Sequence, residues 1–165
     1  MSRIGRVEPG PGQESVWDYP RPPAAKRTDK HIRVVLGGVT VADTHRAIKV
    51  METSHPPVYY VPPEDIAPGV LFPSERPSFC EYKGRAIYYH VRAGTAEPLN
   101  AAWSYPEPSR GFGSLAGFVA FYPGMMDECT VDCEVVEAQP GDFYGGWITA
   151  DVVGPFKGSP GTLGW

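Results

Sequence analysis

The sequence predicts an all-β fold with little helix, and three observations carry that prediction. β-branched and aromatic runs of a few residues recur along the chain, glycine and proline interrupt them at short intervals, and no segment sustains the period of a long helix. Without amphipathic helices between the strands, a doubly wound α/β sheet is excluded. Glycine and proline number 19 each in 165 residues, just below the share found in low-complexity chains. Nine Tyr, seven Phe and four Trp are too much apolar surface to leave in water, so the chain must fold around a core. A chain of this length buries roughly 70% of its unfolded surface as one domain.

Residues 1–31 read as an extended arm docked on the core rather than as part of a sheet. Trp17 and Tyr19 are its apolar anchors, and Pro20-Arg21-Pro22-Pro23 favours the stiff polyproline conformation. The same four residues fit a proline-reading module loosely, without a basic flank. Next, Ile32–Leu36 and residues 39–42 are strands separated by Gly37-Gly38, which supply the positive φ angles of a tight hairpin. A turn at residues 43–46 leads to a strand over residues 47–51. Val58–Val61 is a strand closed by Pro62-Pro63, and Pro63-Glu64-Asp65 has the composition of a first helical turn.

Residues 78–91 read as a second hairpin around Lys83-Gly84, with bulk on both faces, so both faces should be covered. Residues 101–105 and 118–122 are short strands stopped by Pro106 and Pro123. Residues 129–136 and 144–148 complete a set of seven to nine strands. Residues 32–136 are thus the expected core domain. Residues 137–165 form a Gly/Pro-rich extension whose Trp165 makes sense only if it packs back on that core.

A net charge of −4 with no basic stripe argues against nucleic-acid binding. The longest apolar runs, such as Leu115 to Tyr122, fall far short of the ~20 residues of a membrane helix. Arg3 and Arg6 are not followed by the apolar segment of a signal peptide, so no membrane association and a cytoplasmic location are expected. Three cysteines make no disulfide framework, in keeping with a reducing compartment.

Residues able to do chemistry are densest between Ile32 and Pro63, where Asp43, His45, Arg46, Glu52 and His55 lie near Tyr59 and Tyr60. Arg46 has the planar fork that clamps a carboxylate or phosphate, and Glu52 or His55 can move a proton. The same set reads equally well as an Arg46–Glu52 salt bridge on a solvated face. Trp103 and Tyr105 alternate on a strand and share one face, as core or as a wall for a planar ligand. Lys83 lies close to Cys80, and a thiolate beside its ammonium would be reactive, but no Cys–His pairing is visible and the favoured reading is an inert, buried or pocket-facing thiol. Cys129 and Cys133 have a permitted zinc spacing, yet there are no paired Cys-x-x-Cys knuckles, so neither metal nor cofactor is expected. Gly113 to Gly117 lacks the Gly-x-Ser-x-Gly pattern of a nucleophile elbow. The loop around Lys157 lacks the Gly-Lys-Ser/Thr order of a phosphate cradle.

The runs VADTHRAIKVMETSHPPVYYVPPEDI, CEYKGRAIYY, AAWSYPEP, GFVAFYP, FYGGWIT and GPFKG, in this order, resemble the family called domain of unknown function 427. The resemblance covers residues 32–136 and implies a β-tent-like architecture of small, curved antiparallel sheets around a central groove. The family is sometimes labelled nucleotidyltransferase-like, but the Gly-Ser pair and spaced aspartates of that chemistry are missing here. The resulting expectation is a small-molecule site, anionic or planar in preference, lined by Arg46, Glu52, Tyr60, Cys80, Lys83, Trp103 and Tyr105, with or without a reaction. The rival is a structural protein that self-associates through its arm and tail.

Overall fold

The computed structural model describes residues 5–80, 83–141, 144–159, 161–162 and 164–165, with the backbone alone at 77–80. Its strands in chain order are β1 (Glu14–Ser15), β2 (Ala24–Arg27), β3 (Ile32–Leu36), β4 (Val39–Thr44), β5 (Ile48–Met51), β6 (Val58–Val61), β7 (Leu71–Cys80) and β8 (Gly84–Val91). They continue with β9 (Ala102–Ser104), β10 (Val119–Phe121), β11 (Glu128–Val131), β12 (Glu134–Val135), β13 (Glu137–Ala138), β14 (Trp147–Ile148) and β15 (Val152–Val153). Among the described residues, helix is confined to single 3-10 turns such as Pro63–Asp65 and Gly113–Leu115. A seven-stranded antiparallel sheet in the order β2-β5-β6-β10-β9-β8-β7 packs with a four-stranded one in the order β12-β11-β3-β4. Two small pairs, β13 with β14 and β1 with β15, complete the set, the latter parallel. The all-β class and the scarcity of helix are as the sequence predicts, and among the described residues no sheet closes into a barrel.

The first hairpin turns at Gly37 and Gly38, both at positive φ (60° and 77°). Gly37 is required for a second reason, since a Cβ there would lie 2.1 Å from the carbonyl oxygen of Ala93. β6 and the proline-initiated turn after it stand where the sequence puts them. The second hairpin is longer than expected: β7 starts at Leu71 and runs through Pro73 and Pro77 with a register shift between them. Those prolines are tolerated because β7 is the edge of its sheet. Residues 129–136 are two strands rather than one, folded back at Asp132 and Cys133, which both take positive φ.

The arm differs most from its sequence reading. Residues 24–27 are not outside the sheet but form its edge strand β2, paired with β5 from Ala24↔Met51 to Arg27↔Ile48. Ala-Ala-Lys-Arg has no β-branched residue to announce a strand, and pairing with β5 together with the packing of Ala25 on the aromatic core holds it there. Further upstream, β1 pairs with β15, the Trp17 indole N–H donates to the Pro155 carbonyl at 2.8 Å, and the Trp17 and Trp165 rings meet at 5.4 Å.

A set of short polar bonds fastens these segments to the body. Glu14 accepts from the Tyr19 hydroxyl at 2.5 Å and from the Lys49 ammonium at 2.7 Å, while Lys30 meets Asp151 at 2.8 Å. Burial pulls the Glu14 carboxyl upward, but the bonds from Lys49 and Tyr19 outweigh it and leave it below its ordinary range. Asp151 behaves likewise through Lys30 and Thr149.

Alternation along the seven-stranded sheet divides its side chains between two cores. Tyr59, Val61, Val91, Ala102, Val119 and Phe121 join Ile32, Val34 and Val41 of the four-stranded sheet in the first core, with Trp147 fully buried among them. Tyr60, Tyr88, Trp103, Tyr105, Ala120 and Tyr122 face the other way, into an aromatic core capped by Phe112 and Leu115. Both faces are covered, as the bulk on the strands requires.

Candidate functional site

Glu52 follows the last residue of β5, His55 lies in the turn leading to β6, and Lys83 precedes the first residue of β8. Three strands separate β5 from β8 in the sheet. Nevertheless the Lys83 ammonium lies 3.8 Å from one Glu52 oxygen, and the His55 Nε2 lies 3.7 Å from the other. The sheet therefore curls enough to bring Lys83, at the start of β8, beside the end of β5. Lys83 is only 8% exposed, and the side chains of His55 and Glu52 are 12% and 24% exposed. Both separations exceed hydrogen-bond length, so the charges face one another without closing.

A second layer comes from the C-terminal extension. The Gln139 side chain, buried at 4% exposure, accepts from the Gly146 N–H at 3.0 Å and donates to the Lys157 carbonyl at 2.7 Å. Those two backbone partners fix the orientation of the amide, and its nitrogen then meets His55 Nδ1 at 3.1 Å. Nδ1 must accept, so the ring proton of neutral His55 sits on Nε2, toward Glu52. Burial, opposed by Glu52 and reinforced by Lys157 and Lys83, lowers the His55 pKa to about 4 and keeps the ring neutral at ordinary pH. Tyr144 packs on His55 with ring centroids 5.0 Å apart, and the Lys157 ammonium lies 5.6 Å from the Tyr144 centroid. Tyr144 and Lys157 also line a concavity of about 460 Å³ with Pro140, Gly141 and Gly158.

The predicted residues are thus only partly gathered. Glu52 and Lys83 meet, and His55 joins them. Arg46 stands at the opposite end of β5, which places it roughly 20 Å from Glu52 along an extended chain. It forms a solvent-exposed fork with Asp65 at 2.8 and 3.2 Å, so its salt-bridge partner is Asp65 and not Glu52. Tyr60, Trp103 and Tyr105 are interior: the Trp103 indole donates to the Tyr60 hydroxyl at 3.2 Å, and the Tyr60 and Tyr105 rings lie 6.2 Å apart. Trp103 touches the layer above at Gly145, where a Cβ would come within 2.3 Å of the indole.

The Cys80 side chain lies outside the described residues. Cys129 is buried in the first core, which pushes its thiol up to about 12, while Cys133 is exposed in its turn. Among the described residues, no group of three His, Cys, Asp or Glu side chains is placed to hold a metal. None of their helices is long and apolar enough to cross a membrane.

Sequence reasoning did not single out Gln139, Tyr144 or Lys157 as site residues. A usable signal was the glycine pair Gly145-Gly146, because adjacent glycines beside aromatic residues mark a close approach of backbone to another group.

Fold and site together define a small β-rich domain that holds an open Glu–His–Lys cluster over an aromatic core. The chain belongs to the family described as domain of unknown function 427, whose model matches residues 24–132, about two thirds of its length. No curated protein matches it. The match opens with β2 and includes Glu52, His55 and Lys83, whereas Gln139, Tyr144 and Lys157 fall beyond its end.

Proposed function

We propose that this domain binds a small molecule at Glu52, His55 and Lys83, with Tyr144 as an adjoining planar wall. The observation that supports this reading is the 3.8 Å gap between the Lys83 ammonium and the Glu52 carboxylate in a site where both have lost most of their water. A structural ion pair closes to about 2.7–2.9 Å and so recovers part of what desolvation costs. This one does not close. A ligand that bridges the two charges would supply the missing bonds, whereas the fold by itself gains little from the arrangement. Of the three groups, the Glu52 carboxylate is the one suited to accept a proton, so a reaction at this site would use it as base.

The test compares native protein with Lys83→Met. Small molecules released on denaturation would be identified by mass spectrometry, and both proteins would be melted. The reading expects a compound recovered from the native protein alone, with melting temperatures within a few degrees. Equal recovery from both, or a loss of about 3 kcal/mol or more as for a broken buried pair, would overturn it in favour of a structural role.

A further inference from the structure

We infer that the group bound between Glu52, His55 and Lys83 is the edge of a planar amide, a carbonyl and an N–H side by side as in a lactam, cyclic imide or ureide, rather than an anion. The inference rests on the reading of these residues as a binding site and adds the chemistry of what they hold. Its source is the hydrogen-bond polarity that Gln139 imposes. With its oxygen taken by Gly146 and its nitrogen shared between Lys157 and His55, Gln139 can only donate to Nδ1. His55 therefore presents a donor at Nε2, Lys83 presents donors, and Glu52 presents acceptors.

Lys83 and His55 each lie within 4 Å of the Glu52 carboxylate, one at each oxygen. A ligand that engages all three offers an acceptor to Lys83 and His55 and a donor to Glu52, and a planar group that also lies against Tyr144 carries these on neighbouring atoms. An amide edge does this. An anion would satisfy Lys83 and His55 but would bring its charge against Glu52, and Glu52 already balances Lys83, since His55 is neutral. Tyr144, in edge contact with His55, offers a ring of matching planarity. Lys157 leaves the rim positive, which suits the carbonyl end of such a group.

The probe is 2-pyrrolidinone, titrated into isotope-labelled protein and followed by NMR at the His55 ring and neighbouring amides. Binding in the millimolar range is expected, with at least tenfold weaker binding of N-methyl-2-pyrrolidinone, which lacks the donor. The ring nitrogens of His55 should show the Nε2–H tautomer, and Gln139→Glu, which offers Nδ1 an acceptor instead, should convert it and weaken 2-pyrrolidinone about tenfold. An Nδ1–H tautomer in the native protein would overturn the inference, as would equal binding of the N-methylated probe. Acetate or phosphate binding at Lys83 without 2-pyrrolidinone binding would sink the amide assignment and leave the site standing. No response to any probe would count against both.

Discussion

Two mixed-charge clusters flank the same short strand, and they are built in opposite ways. Lys49 on β5 closes on Glu14 at 2.7 Å, with Tyr19 completing the carboxylate at 2.5 Å. One residue beyond the end of β5, Glu52 faces Lys83 and His55 at 3.8 and 3.7 Å and closes on neither. In the first cluster the lysine is 15% exposed, and in the second it is 10%. The lysines are therefore similarly buried, although Glu14 is 45% exposed and Glu52 only 24%, and the more buried pair is the one that stays open. Short charge-assisted bonds tie the arm to the sheet, whereas the longer separations leave Lys83 and His55 beyond hydrogen-bond reach of Glu52. A closed pair recovers part of its desolvation cost within the fold, and an open one recovers less.

The sharpest way to strain this comparison is to remove the piece that anchors the second layer of the open cluster. Trp147→Ala empties a fully buried site beside Tyr59 and loses the indole bond to the Phe121 carbonyl. It should cost about 3–5 kcal/mol in chemical denaturation. A loss below about 1 kcal/mol would show that the extension is not integral to the core.

Breaking the closed cluster comes next. Lys49→Met should cost about 1.5 kcal/mol, the low end for a charged hydrogen bond, because Glu14 keeps 45% of its side-chain surface in water. Lys83→Met should stay within about 1 kcal/mol of native, since removing a buried ammonium also removes its desolvation cost. Equal losses in the two variants would erase the distinction between the closed and the open pair.

Acid separates the clusters by pH window. His55 is held neutral down to about 4, whereas in the unfolded chain it takes a proton near its ordinary 6.5. The unfolded state thus binds more protons in that interval, and stability should fall with pH from 6.5 toward 4 by at most about 1.4 kcal/mol per unit. The lowered carboxyls Glu14 and Asp151 act later: their contribution is complete above their ordinary values of 4.5 and 3.8 and is lost as pH falls through their lower folded values. His55→Gln should flatten only the upper part of a stability–pH curve, and Lys49→Met only the lower part. A native curve flat from pH 7 to 5 would contradict the neutral buried His55. Smallest of all, Arg46→Ala should leave both melting temperature and ligand recovery nearly unchanged, because the guanidinium is 60% exposed and Asp65 keeps its bond from Thr44.

What was legible in the sequence follows from how local each signal is. The Gly37-Gly38 hairpin and Val58–Val61 are written in adjacent residues and stand as read. Lys83 and Glu52 were recognisable as candidates by residue type, but their meeting depends on the curl of a seven-stranded sheet, which no local pattern encodes. Arg46 looked equally suitable because six positions along the chain appear close, whereas an intervening strand holds the two ends apart. Strand β2 was hidden because its four residues lack strand propensity and rely on β5. Gln139 went unnoticed as one polar residue in a Gly/Pro coil, and its importance comes from three partners distributed over Gly146, Lys157 and His55.

The pairing of β1 with β15 and the bond from Trp17 to Pro155 also set a timetable for biosynthesis. Trp17 waits for a partner made 138 positions later, which at about 5–20 residues per second is a delay of roughly 7–28 s. Through that interval the nascent chain carries an indole and an unmatched strand edge that other chains can capture. Slower translation of the last third of the message should therefore lower soluble yield, and a chaperone that shields the emerging arm should restore it.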